Sequence, residues 1–254
     1  MTTRVMASKV TQMGGALGWG ALAASSLVVG ALLGLGRSWS PRQVGIVLAF
    51  GAGALISAVS FELAQEGIAV GNAGYTGLGL GLGAITYFAL DGVIAKRFSA
   101  GRGRRGRAQG EGGGTALALG AFLDGIPEQL VLGINLAAGG GIGVALLVAI
   151  FVSNLPESIG SSEQMRAAGT AREAILRLWL AVAAICTLAT VAGWVIADNV
   201  SGNAQAAIDG FAAGALLVML IDSMIPEARE DAGRAAGLVT VLGFALAAGL
   251  SSLS

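Results

Sequence analysis

The chain has 254 residues, of which 15 are basic, 15 acidic and none histidine; it is 55% hydrophobic, only 12% charged, and contains 42 glycines. This composition lies outside the soluble globular range and within that of membrane proteins. Zero net charge removes the electrostatic ground for binding nucleic acid or an acidic partner, and the single cysteine, Cys186, excludes an intrachain disulfide.

A membrane-spanning helix needs roughly 20 mostly apolar residues. Uncharged or nearly uncharged runs of that kind predict eight helices, at about 13–36, 43–65, 72–95, 115–138, 142–165, 174–197, 203–226 and 234–253. The first follows Lys9 but is too long for the apolar region of a signal peptide, so it reads as a span. The expectation is therefore an all-α, polytopic membrane protein of one domain, 1–254, with a Gly- and Arg-rich linker at 96–114 that cannot build a core. Basic residues gather in cytoplasmic loops. With the N-terminus outside, every Lys and Arg except Arg4 and Lys9 falls on the inner side, which also puts the C-terminus outside. The linker then marks orientation, although its charge would also attract anionic lipid.

Glycines recur within the spans, as at Gly77, Gly79, Gly81 and Gly83 and at Gly210 and Gly214. Small residues let membrane helices approach closely. Two readings follow: fixed packing, or a smooth surface on which two bundles slide. Cys186, within the sixth span, reads as a small packing residue.

Two neighbouring spans carry the same interruption, Asp124-Gly125-Ile126-Pro127-Glu128 and Ser153-Asn154-Leu155-Pro156-Glu157. A carboxylate inside a membrane is costly and marks function by default. Proline within a helix lacks an N–H and frees the carbonyl four residues earlier, here those of Leu123 and Val152. Measured from the turn near Gly139-Gly140-Gly141 at 1.5 Å per residue, Glu128 lies roughly 18 Å deep and Ser153 roughly 20 Å, with Asp124 and Glu157 roughly 24–26 Å deep. Spacing of four residues sets Asp124 and Glu128 on one helix face, and Ser153 and Glu157 on one face of the neighbour, where Asn154 joins them. Three crowded carboxylates repel unless a cation or protons neutralise them. A divalent metal does this most directly; a protonated, hydrogen-bonded cluster and a proton relay are the alternatives. With oxygen donors in both motifs, harder ions such as Mn²⁺ or Fe²⁺ suit the site better than Cu⁺, and Zn²⁺ stays open.

Glu62 and Glu66 fall at the outer end of the second span, Asp222 and Glu227 at the inner end of the seventh. They fit the mouths of a route through the central cluster, or acids that simply reach water at span ends. Gly53-Ala54-Leu55 with Glu66 thirteen residues after its glycine is repeated by Gly214-Ala215-Leu216 with Glu227, on spans of opposite direction. Inverted repeats with broken helices at the midplane are a transporter pattern and favour transport over catalysis.

At these residues the chain resembles the ZIP (Zrt-/Irt-like) family of divalent metal transporters, which has eight spans, both termini outside and paired Pro-Glu motifs in its fourth and fifth spans. Asp124 stands at the family's histidine and Gly125 at its asparagine, while Ser153 and Asn154 replace the two leading polar residues of the second motif; Pro127-Glu128, Pro156-Glu157 and the Met224-Ile225-Pro226-Glu227 stretch match. The resemblance implies a ZIP-like bundle in the cell membrane, with one metal site built from Asp124, Glu128 and Glu157 assisted by Ser153 and Asn154, and puts Asp222 at a polar pathway position; with Glu62, placed by its span end, it completes the expected transport pathway. It implies that the middle helices carry the metal past a scaffold that can pair as a homodimer. Relatives often hold a second metal through an acid in the sixth span, and residues 178–197 contain none. The expected function is import of a divalent cation (zinc, iron, manganese or cadmium) as bound substrate, with no catalysis and no other cofactor. A proton or small-solute carrier on the same scaffold and a metal-binding membrane sensor are the alternatives.

Overall fold

A computed structural model of the chain describes residues 2–98, 113–137, 144–200 and 202–252, and helix is the only regular structure among them. The segments are α1 (Thr2–Gly36), α2 (Pro41–Ala58), α3 (Gln65–Val70), α4 (Ala73–Phe98), α5 (Gly113–Ala137), α6 (Val144–Ala167), α7 (Arg172–Asp198), α8 (Asn203–Met219), α9 (Ile225–Ala232) and α10 (Ala235–Ser251). α2 runs into α3 through a π-helical turn, Val59–Ala64, and α8 into α9 through another, Leu220–Met224. Among the described residues six stretches are long and apolar enough to cross a membrane: Met13–Gly36, Pro41–Val70, Ala73–Leu90, Val144–Ala167, Arg172–Ala197 and Asn203–Ala232. α10 is apolar but shorter. Most of the expected linker at 96–114, and the turn at Gly139–Gly141, lie outside the described residues.

The second and seventh spans are longer than their uncharged runs suggest. Each continues past its acids, to Val70 and to Ala232. α2 also starts earlier than residue 43. Ser40 and Gln43 form a reciprocal capping box around Pro41, with the Gln43 N–H donating to Ser40 Oγ and the Ser40 N–H to Gln43 Oε1. Ser40→Ala is expected to lower stability by about 1 kcal/mol, read as a fall in the melting temperature of the detergent-solubilised protein.

The helices sort into two groups. α1, α5, α6 and α7 pack on one another, and α2–α3, α4, α8–α9 and α10 do likewise, the groups meeting chiefly where α2 lies on α6. Outward faces are apolar, as at Leu78, Leu82, Ile85 and Phe88 on α4 and Leu238, Val241 and Leu242 on α10.

Glycine decides the contacts inside each group. A methyl group on Gly79 or Gly83 of α4 would strike the backbone of Ala207 or Phe211 on α8, and one on Gly210 or Gly214 of α8 would strike Thr76 or Leu80 on α4. Gly133 of α5 meets Thr190 of α7, and Gly193 of α7 meets Leu130 of α5. These notches are backbone-on-backbone contacts within a group, which is the fixed-packing reading of the glycines. Gly51 differs: it sits on the Ser153 backbone of α6, across the junction between groups.

The α2/α10 pair repeats the α8/α4 pair. Gly53 meets the Thr240 carbonyl and Gly243 meets that of Phe50; Gly214 meets the Leu80 carbonyl and Gly83 meets that of Phe211. The π turns begin at equivalent places, Val59 and Leu220, each six residues after its glycine. In both, the first N–H beyond the turn reaches back five residues, from Gln65 to Ser60 and from Ile225 to Leu220. Ser60 Oγ donates to the Ile56 carbonyl at 2.7 Å, a side-chain bond that loosens the ladder of the first. Pro226, which cannot donate, follows the second.

Candidate functional site

Both Pro-Glu motifs lie inside unbroken helices, Pro127 within α5 and Pro156 within α6. The packing of α5 on α6 brings them together. Glu128 is buried and accepts hydrogen bonds from Ser153 Oγ and Asn154 Nδ2, both at 3.1 Å. Asn154 Nδ2, with two hydrogens, also donates to the Ile150 carbonyl at 2.9 Å, and the single Ser153 hydroxyl hydrogen has the same carbonyl, at 3.0 Å, as an alternative to Glu128. Ser158 Oγ donates to the Asn154 carbonyl at 2.8 Å, one turn further on. The result is a buried carboxylate held by two neutral donors from the neighbouring helix.

Glu157 is half-buried on α6, and its charge and that of Glu128 both reach Cys186 on α7. The Asp124 position is on α5, but its side chain is outside those described. Among the described residues no three acidic, cysteine or histidine side chains stand close enough to enclose a metal ion. Any site on these residues therefore needs the neutral oxygens of Ser153 and Asn154 or the Asp124 carboxylate.

Three neighbours of the cluster carry no signal in the sequence. Cys186 is fully buried, with Leu27, Ile175 and Trp179 among its cluster, which agrees with a packing role. Yet its sulfur also fills the notch at Gly125: a methyl group there would come within 3.0 Å of Sγ and 3.9 Å of Asn154 Oδ1. A glycine next to the motif and a thiol on another span thus share one volume. Gly125→Ala is expected to be tolerated with a small loss, whereas Gly125→Asn should depress the melting temperature markedly and Cys186→Ala should restore it. Gln129 and Thr190 are the other two. Both are fully buried, and Thr190 Oγ1 donates to Gln129 Oε1 at 2.5 Å, tying α5 to α7 directly beside Glu128.

The remaining acids lie at the ends of the second and seventh spans. Glu62 is buried within the first π turn and Glu66 half-buried at the start of α3; Asp222 is in the second π turn and Glu227 in the first turn of α9. Asp209 on α8, which no motif or spacing singles out, is buried and accepts from Gln205 Nε2 at 2.9 Å.

A family model described as ZIP zinc transporter matches residues 104–251, more than half of the chain and including both Pro-Glu motifs. The chain belongs to the ZIP zinc transporter family. A search of curated proteins found no match. Membership, with six apolar helices of spanning length, makes this ZIP protein a multi-pass membrane protein that transports divalent metal cations. The family is one of transporters rather than enzymes.

Proposed function

We propose that this ZIP protein imports a divalent metal of the zinc, iron, manganese or cadmium class toward the cytoplasm through a single site near the middle of the cell membrane, held by Asp124, Glu128 and Glu157 with Ser153 and Asn154 assisting. The observation that supports the reading most is Glu128, a buried carboxylate that accepts from Ser153 and Asn154 on the helix that carries Glu157. All eight helical segments span in this proposal, counting Gly113–Ala137 and the shorter Ala235–Ser251, with both termini outside as the positions of the basic residues favour. The matched glycine contacts and π turns of the second and seventh spans support an inverted repeat. All of the central polar residues belong to the α1/α5/α6/α7 group, which supports that group as the moving part, carrying metal past the other between an outer mouth at Glu62 and an inner mouth at Asp222. The scaffold group exposes apolar faces on α4 and α10 suited to lipid or to a second copy.

Uptake into proteoliposomes containing a metal-sensitive dye tests this. Inward movement of at least one of Zn²⁺, Mn²⁺, Fe²⁺ or Cd²⁺, competed by the others, is expected. Metal binding without flux would replace transport by a sensor role, and neither binding nor flux with any of them would leave a proton or small-solute carrier.

A further inference from the structure

The first and second spans meet at a short corner, Gly36 to Ser40, which the arginines around it place at the cytoplasmic face. The corner joins the two helix groups, since α1 belongs to one and α2 to the other. As far as Trp39 it is bound to the α1/α6 side. The Arg37 N–H and Trp39 Nε1 both donate to the Leu33 carbonyl, at 3.3 and 3.2 Å, and the guanidinium carbon of Arg37 lies 4.2 Å from the centre of the Trp39 ring. α6 grips the same segment from the side. Arg166 Nη1 donates to the Leu35 carbonyl and Nη2 to Ser38 Oγ, both at 3.3 Å, while Glu163 Oε2 accepts from the Trp39 N–H, also at 3.3 Å.

From Ser40 onward the chain belongs to α2. The Ser40 N–H donates to Gln43 Oε1, and Pro41 keeps Ser40 extended, at φ −72° and ψ 144°. One peptide plane is thus tied to α6 through the Trp39 N–H, and the next to α2 through the Ser40 N–H. The two planes meet at Trp39 Cα, so the φ and ψ of that residue are the only soft dihedrals between them. Consecutive Cα atoms stay about 3.8 Å apart, so here the groups can turn relative to one another but cannot separate. Away from the corner the contact between the groups loosens. Midway, Gly51 of α2 touches the Ser153 backbone of α6. At the opposite face a cavity of about 170 Å³ stands between the groups, lined by Glu62, Glu66 and Asp209 of one and Ile134, Asn135 and Ala197 of the other.

We propose that Trp39 is the inner pivot of this ZIP protein: the α1–α2 corner travels with α6, and the two groups rock about Trp39 Cα, so that their relative displacement is least at that corner and grows with distance from it. The proposal names the kind of motion and rests on the transport reading above for there being motion at all. A slide of one whole group past the other would pull Trp39 and Ser40 apart, and would require either the Glu163 and Arg166 contacts or the capping box to open. Rocking requires neither. Two dihedrals of one residue absorb the change, as hinge residues at the ends of elements do.

Distances between pairs of spin labels, measured by pulsed electron resonance on the full chain in proteoliposomes with and without saturating Zn²⁺, test the pivot. Cys186 is fully buried and does not compete for the label. Labels at Gly36→Cys and Ala167→Cys, both exposed and on the α1/α6 side of the corner, are expected to keep one distance in both conditions. The pair Arg42→Cys and Ala167→Cys, which straddles the corner, should change by no more than about 4 Å, the span of one peptide unit. Ile68→Cys and Val144→Cys, exposed at the opposite face, should change by more than that. Replacing Glu163 and Arg166 together by alanine should broaden the first distance and make it respond to Zn²⁺, with circular dichroism unchanged. A first distance that shifts with Zn²⁺ while Glu163 and Arg166 are present, one that stays narrow without them, or a change in the second pair as large as that in the third would overturn the pivot alone. Three constant distances in protein that takes up Zn²⁺ would overturn the moving-group reading and the pivot with it.

Discussion

Glu128→Gln is expected to reduce metal uptake by about a hundredfold or more, beyond the 10–100-fold typical of removing a mere supporting partner of a metal ligand. The amide is the informative substitution. Its single oxygen can still accept from Asn154 Nδ2 while its NH2 donates to Ser153 Oγ, whose own hydrogen can then go to the Ile150 carbonyl, so the α5/α6 contact should survive. Glu128→Ala would in addition leave one buried Asn154 N–H without its acceptor, at about 1–3 kcal/mol, and would mix a folding defect with the loss of charge. Glu157→Gln should act in the same direction. Ser153→Ala, which removes one neutral contact and no charge, should weaken apparent metal affinity by roughly tenfold. Uptake within twofold of the native rate in both Glu→Gln proteins, with normal thermal stability, would remove the central site from the mechanism.

The second large effect concerns α4, where glycines on one helix should divide by face. Gly79 and Gly83 lie against the α8 backbone, while a methyl group on Gly77 or Gly81 would have nothing within 4 Å. Gly79→Leu and Gly83→Leu are expected to disrupt the α4/α8 pair, each costing more than the 1–3 kcal/mol usual for overpacking because rigid backbone rather than a side chain stands in the way. Gly77→Leu and Gly81→Leu should yield stable protein, since both point where Leu78 and Leu82 are already exposed. Yield and thermal melting of the four proteins side by side give the answer; equal behaviour of all four would show that α4 does not pack on α8 through this face.

Much of this arrangement can be read along the chain. Apolar runs mark the helices, and counting rise from a glycine-rich turn brings Glu128 level with Ser153, the pair joined by a hydrogen bond. Other features depend on packing between distant segments. Asp209 resembles any acid near the start of a span until Gly67 and Glu66 are set against it. Cys186 is an ordinary small residue until its sulfur is found in the space left by Gly125, a complementarity of volumes that no spacing rule encodes. The π turns escape a helical reading because they add a residue without changing composition, although Ser60 and Pro226, each of which disturbs the hydrogen-bond ladder, stand within or just beyond them. Ser40 and Gln43 form a capping box that starts α2 at Pro41 rather than at the expected residue 43.

The π turns also set the rotational phase of the two spans that contain them. An α-helix advances by about 100° per residue. One extra residue within a turn therefore swings everything beyond it by roughly that angle relative to a regular helix. In the second span this separates two tasks on one rod: before the turn, Gly53 faces α10; after it, Glu66 and Gly67 face α8. Deleting a single residue between Val59 and Ala64 would leave the α10 seam in place and aim the acids elsewhere. The irregularity thus sets the direction in which the far end of the span faces independently of the seam that holds its near end.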